Sequence, residues 1–280
     1  VTNVDVESAG VERQQIRNRF NRLYDAFFER SRREARAGAK IVVWPEANLM
    51  VLKENEGAFL ERARRFAREH EIFLLMGIGA LNPGAARPVD NKAVLVNPAG
   101  EMAFSYTKIT AVPGLEARGV RGQGPLPVAD TPYGRMTAAI CFDLDFPPLI
   151  RQAGRAHADL LLVPANDWQA ITELHQRMAE FRALENGVAL FRITRDGGSG
   201  AVDPYGRRLA SMDDFTTRDN VMVAQVPISA GVRTVYAGVG DLFAWLCVAG
   251  LFALIAWAMR HPQRPGPAAV TSSGRPSPSM

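Results

Sequence analysis

The chain has 280 residues, 47% of them hydrophobic and 22% charged, which is ordinary globular material with enough length for a large core. Lys and Arg outnumber Asp and Glu by 33 to 29, and the basic residues are scattered rather than gathered in a stripe, so no nucleic acid partner is expected. Two cysteines, Cys141 and Cys247, cannot make a disulfide framework, and the four histidines lack H-x-x-H or H-E-x-x-H spacing, so neither a metal nor a cofactor is expected.

The chain opens at Val1 without a signal-peptide pattern, which leads us to expect a fragment of a longer protein. From Arg13 to Arg36, Ile16, Phe20, Leu23 and Phe27 recur at helical spacing. The runs "AKIVVW", "EIFLLMGIG" and "NKAVLVN" then read as buried strands. A second round follows. "RMTAAICF", "ADLLLVPA", "VALFRIT" and "VMVAQVP" read as strands, with a helix over Gln169 to Glu185. Such alternation predicts a layered α/β domain with sheets covered by helices.

Past this domain, "LFAWLCVAGLFALIAWAM", Leu242 to Met259, is uncharged and apolar on every face, with Trp245 and Trp257 near its ends. About 20 such residues cross a hydrocarbon core roughly 30 Å thick, and indoles favour its interfaces. A transmembrane helix is therefore predicted over 239–260. The Pro- and Ser-rich residues 261–280 are predicted to be a disordered tail, and 1–238 the folded domain. Arg260, Arg264 and Arg275 place the tail in the cytoplasm by the positive-inside rule and the domain outside, which in a bacterium means the periplasmic face of the inner membrane.

Three strand ends carry polar groups, the place where α/β folds put their chemistry. "IVVWPEANL" delivers Glu46, "SYTKITAVPGLE" delivers Lys108 and Glu116 on a Pro- and Gly-containing loop, and "TAAICFDLDFP" delivers Cys141 with Asp143 and Asp145 beside it. A carboxylate, an ammonium and a thiol are the parts of thiol-based acyl transfer: base, charge stabiliser and nucleophile. Each also has a duller role available, as a helix-terminal charge, a solvated loop charge or a small buried apolar group. The run "NLMVL", Asn48 to Leu52, reads either as an apolar lip for an acyl chain or as packing beneath the next helix. Asp143 and Asp145 read as pocket hydrogen-bond partners or as caps for the helix "PPLIRQAG".

In their order, "WPE", "YxK" and "IC" resemble the nitrilase superfamily of carbon–nitrogen hydrolases. The resemblance implies a nitrilase-like α-β-β-α sandwich, followed here by one C-terminal transmembrane helix. It also implies Glu46 as general base, Lys108 and the backbone N–H of Phe142 as oxyanion hole, Cys141 as nucleophile and Glu116 as a second glutamate. Within the superfamily, "K-x-x-x-V-P-x-x-E", "ANDW" at Ala165 to Trp168, "FRALENGVALFRITRDGGSGAVDPYGR" and "RTVYAGVGDLFAWLC" are similar to the apolipoprotein N-acyltransferases. That likeness implies transfer of a fatty acyl group from a phospholipid, through a Cys141 thioester, to the N-terminal amine of a lipoprotein, with Asp143 and Trp168 near the substrate. A tethered amidase and a noncatalytic binding module on the same scaffold are the alternatives. The acyltransferases usually carry Tyr and Glu where this chain has Phe142 and Asp143, a longer interval than the 33 residues from Lys108 to Cys141, and several upstream transmembrane helices.

Overall fold

The computed structural model describes residues 13–116, 119, 121–228 and 232–261. It divides into two units, Val1–Gly238 and Val239–Met280. In the first, β1 (Ile41–Leu52) pairs in parallel with β2 (Phe73–Leu81), and β3 (Val89–Val96) and β4 (Met102–Thr107) continue antiparallel, in the order β1-β2-β3-β4. The second sheet runs β10-β9-β8-β7-β6-β5. Its parallel centre is β6 (Gly134–Ala138), β7 (Leu160–Asn166) and β8 (Ala189–Arg195), with β5 (Val128–Thr131), β9 (Gly198–Val202) and β10 (Arg208–Asp213) antiparallel at its flanks. Helices α1 (Arg13–Arg36) and α2 (Glu56–His70) cover the first sheet; α3 (Pro147–Arg155) and α4 (Thr172–Asn186) cover the second. This is an α-β-β-α sandwich.

Two apolar layers hold it together. Phe28, Trp44, Phe59, Phe66, Leu74 and Ile78 form the core between the first sheet and its helices. In α1, Phe20, Tyr24 and Phe28 are buried at four-residue spacing, whereas Leu23, expected on the buried face, is 37% exposed. Trp44 packs edge-on against Phe28 with ring centroids 5.1 Å apart, and its indole N–H donates to Ser31 Oγ at 2.8 Å. Burying each such ring contributes roughly 2–3 kcal/mol. Between the sheets and under α3 and α4 lies the second core, with Leu75, Leu95, Met136, Leu161, Val163 and Ile150.

Several sequence expectations change. Strand β1 runs on through Glu46 to Leu52, so "NLMVL" is strand: Leu49, Val51 and Leu52 are buried in the α1/α2 core and do not form an acyl lip. The run "VMVAQVP" forms no strand, although its alternation suits one, because no neighbouring strand pairs with it. Helix α3 begins after Phe146 with Pro147 in its first turn and no side-chain cap, so neither Asp143 nor Asp145 caps it. Strands β5, β9 and β10 lie outside the runs read as strands.

Helix α5 (Val235–Val239) precedes α6 (Leu242–Arg260). Helix α6 buries no side chain and is long and apolar enough to cross a membrane by length and composition. The predicted disordered tail beyond His261 lies outside the described residues.

Candidate active site

The strand ends expected to carry chemistry converge on a cavity of about 250 Å³ lined by Glu46, Lys108, Glu116, Cys141, Phe142 and Trp168, among others. Glu46 enters it from inside β1, where the pairing with β2 breaks between Trp44 and Leu49 and Ala47 takes a left-handed φ of 45°. The break is allowed by Gly77 on β2, because a Cβ there would lie 2.5 Å from Pro45 O and 2.8 Å from Glu46 Cα. Lys108 is the first residue after β4, and its carbonyl accepts from Gly122 N at 2.8 Å.

Cys141 opens a 3-10 turn, Cys141–Asp145, just beyond β6. Its φ of 45° is unusual for a residue with a side chain, a conformation held only when the surroundings over-determine it. Asp143 supplies that determination. Fully buried, it accepts from Tyr106 Oη at 2.7 Å, Thr110 N at 2.8 Å and Ile140 N at 3.1 Å, and from the Thr110 hydroxyl. Asp143 therefore fastens the Cys141 turn to Tyr106 on β4 and to Thr110 just beyond Lys108; it does not line the cavity.

The charged cluster is dense. Lys108 Nζ donates to Glu46 Oε1 at 2.8 Å and to Glu116 Oε1 at 2.9 Å. Asn91 Nδ2 donates to Glu46 Oε1 at 2.6 Å and Glu116 Oε1 at 3.2 Å, and Val112 N holds the other Glu116 oxygen at 2.8 Å. Burial raises Glu46 above the usual carboxylate range, against the opposing pull of Lys108. Burial alone would lower Lys108, but the charges of Glu46 and Glu116 and the hydrogen bond to Glu46 outweigh it, so its ammonium is held well above its ordinary value. Burial and the Glu46 charge push the Cys141 thiol up. The site therefore brings together a neutral thiol, a buried carboxyl group and a fixed cation.

A second polar cluster, unforeseen in the sequence, borders the thiol. Cys141 Sγ donates to Asn166 O at 3.5 Å. The next residue, Asp167, takes both oxygens to Arg192 Nη2 at 2.9 and 2.8 Å and one to His175 Nδ1 at 3.0 Å. His175 Nε2 lies 3.6 Å from Asp145 Oδ2. Side-chain donor atoms of Cys141, Asp167 and His175 lie within 4.8 Å of one another, the spacing of a metal-ligand set. The donor chemistry fits poorly, because Arg192 and His175 already occupy Asp167 and bring positive charge to the place a cation would take. A visible signal existed for Arg192, a charged residue inside the apolar run "VALFRIT". For His175 there was none.

A larger groove of about 660 Å³ runs between the start of β1 and strands β7 and β8, and contains none of Glu46, Lys108 or Cys141.

Across residues 17–234 the chain matches the carbon-nitrogen hydrolase family. It belongs to that family. Among curated relatives, this carbon-nitrogen hydrolase chain is 30% identical over 260 residues to an apolipoprotein N-acyltransferase of Geobacter metallireducens, covering 84% of this chain and 49% of the relative. It is 30% identical over 263 residues to the same enzyme of Azotobacter vinelandii, covering 83% and 49%. The chain thus spans about half the length of the curated relatives it matches. Among solved structures, an amidase from Nesterenkonia sp. superposes with a TM-score of 0.62 at 25% identity, over 69% of this chain and 81% of the amidase.

Proposed function

We propose that this domain is a membrane-anchored N-acyltransferase that moves a fatty acyl group from a phospholipid, through a Cys141 thioester, to the N-terminal amine of a lipoprotein. The observation that carries the reading is the pairing, in one chain, of a buried Glu46–Lys108–Cys141 acyl site with a helix apolar enough to hold it at a bilayer. The similarity to two apolipoprotein N-acyltransferases supports it. Arg260, Arg264 and Arg275 favour a cytoplasmic tail and a periplasmic domain.

In the first half-reaction Glu46 takes the Cys141 proton while Sγ attacks the ester carbonyl, and the oxyanion forms toward Lys108 Nζ and the Phe142 N–H. The C–O bond breaks, the proton passes from Glu46 to the glycerol oxygen, and a lysophospholipid leaves. In the second, the amine attacks the thioester, Glu46 takes an N–H proton and passes it to Sγ as the C–S bond breaks, giving an amide and the restored thiol. Trp168, 45% exposed, and Leu115, 72% exposed, line the cavity and offer apolar surface to the acyl chain, each covered CH₂ being worth about 0.8 kcal/mol. Tethering raises the effective concentration of enzyme at the lipid.

The amidase neighbour supports a second reading, in which water takes the acyl group. The partition of the acyl-enzyme decides. Protein acylated on Cys141 is mixed with a peptide bearing an N-terminal diacylglyceryl-cysteine: amide formed in proportion to peptide supports transfer. Free fatty acid released at a rate independent of peptide establishes the hydrolase instead.

A further inference from the structure

The nucleophile faces two clusters of charge, and the proposed reaction uses one of them. Around the Cys141 sulfur stand Glu46 from β1, Lys108 after β4, Glu116 in the following loop, Asp167 after β7, His175 on α4 and Arg192 on β8. Asp167, His175 and Arg192 are all buried, and a ring nitrogen of His175 lies within 4.8 Å of Sγ. His175 itself faces Asp167, Asp145 from the nucleophile turn, and the Trp168 ring with centroids 6.3 Å apart. With the imidazole charged, two cations, His175 and Arg192, balance two carboxylates, Asp145 and Asp167. Losing the His175 charge leaves the set net negative beside an atom that must itself become negative.

We propose that His175 is a positioning residue for the thiol chemistry: its imidazolium, clamped by Asp145 and Asp167, keeps the charge beside Cys141 balanced so that the thiolate can form. The two carboxylates raise the imidazole from 6.5 to about 9, so it is charged throughout the neutral range and loses that charge above about 9. This inference rests on Cys141 being the nucleophile of the proposed reaction. It does not depend on whether amine or water takes the acyl group.

The test needs no acyl substrate. The full chain, carrying Cys247→Ser, is alkylated with iodoacetamide near neutral pH, and the adduct on Cys141 is followed by peptide mass spectrometry. An opposite charge within ~4–6 Å moves a pKa by roughly 1–3 units, so His175→Gln is expected to slow alkylation by about tenfold, with thermal unfolding as the control for fold. Asp145→Asn, a change at a partly exposed residue, removes a negative charge and is expected to speed alkylation. Opposite signs from the two variants separate a charge effect from loosened packing. The gap between parent and His175→Gln is also expected to narrow above pH about 9, where the parent imidazole has lost its proton, and His175→Arg is expected to restore part of the rate. An unchanged or faster rate in His175→Gln overturns the proposal. Should that variant not fold, a rate slowed or unmoved by Asp145→Asn overturns it alone. Normal charge effects on alkylation in a protein that forms no acyl-enzyme would refute the proposed function while leaving the charge effect of His175 on the Cys141 thiol established.

Discussion

Lys108→Met is the substitution whose consequences the structure defines most fully. The ammonium sits 2.8 Å from Glu46 and 2.9 Å from Glu116, with side-chain exposures of 4% for Lys108, 4% for Glu46 and 26% for Glu116. Burial makes this substitution a matter of folding as well as turnover: removing one partner of a buried ion pair strands the other and costs about 3–5 kcal/mol. For a domain of this size each kcal/mol shifts Tm by roughly 2–4 °C, so a drop on the order of 10 °C is expected. Glu46, whose pKa burial already raises, relieves the repulsion by binding a proton, which also takes the proposed base out of service. Loss of an oxyanion donor adds a fall in turnover of roughly two to three orders of magnitude. Adding Glu116→Gln restores the charge balance around Glu46, so the double variant is expected to recover much of the lost Tm and none of the activity. Scanning calorimetry with an acyl-release assay reads both. A Lys108→Met protein with unchanged Tm, or a double variant no more stable than the single, would refute the charge argument.

Glu46→Gln removes the proposed base and is expected to cut acyl-enzyme formation by roughly two to four orders of magnitude, read as the burst of released lysophospholipid. Since burial raises the Glu46 pKa, the acid limb of the rate profile is expected above the ordinary carboxylate range of about 4.3; a limb at or below it counts against Glu46 as base. His175 has a folded pKa of about 9 against 6.5 unfolded, so its contribution to stability is complete below about 6.5 and disappears as pH rises through 9. Tm is expected to fall across that window in the parent and less so in His175→Gln, and parallel curves contradict the assignment. If α6 spans the bilayer, detergent and not high salt releases the chain from membranes; release by salt alone argues against a span.

The sequence made the frame legible where one local rule decides. Apolar runs bounded by turn residues marked β2, β3, β7 and β8, because a buried strand needs nothing more. Strand-end carboxylate, ammonium and thiol were visible as a set, since Glu46, Lys108 and Cys141 each sit in a recognisable local pattern. What escaped depends on partners distant in the chain. Strand β9 is the Gly- and Ser-rich "GSGAV", which has strand geometry only because β8 and β10 flank it. The extended run "VMVAQVP" fails for the converse reason. Asn91, Asp167, His175 and Arg192 matter through hydrogen bonds spanning 8 to 45 residues of sequence, and no local spacing announces them. Asp143 stands out in the sequence, but its role in tying the Cys141 turn to Tyr106 and Thr110 depends on the fold.

The central claim is that Cys141 carries the acyl group. Intact-mass measurement of the full chain after incubation with phospholipid vesicles tests it most directly. The account expects a mass increase of one fatty acyl group, removed by neutral hydroxylamine, absent from Cys141→Ala and retained in Cys247→Ala. An adduct that survives in Cys141→Ala, or no adduct on the parent protein with phospholipid donors, would contradict it.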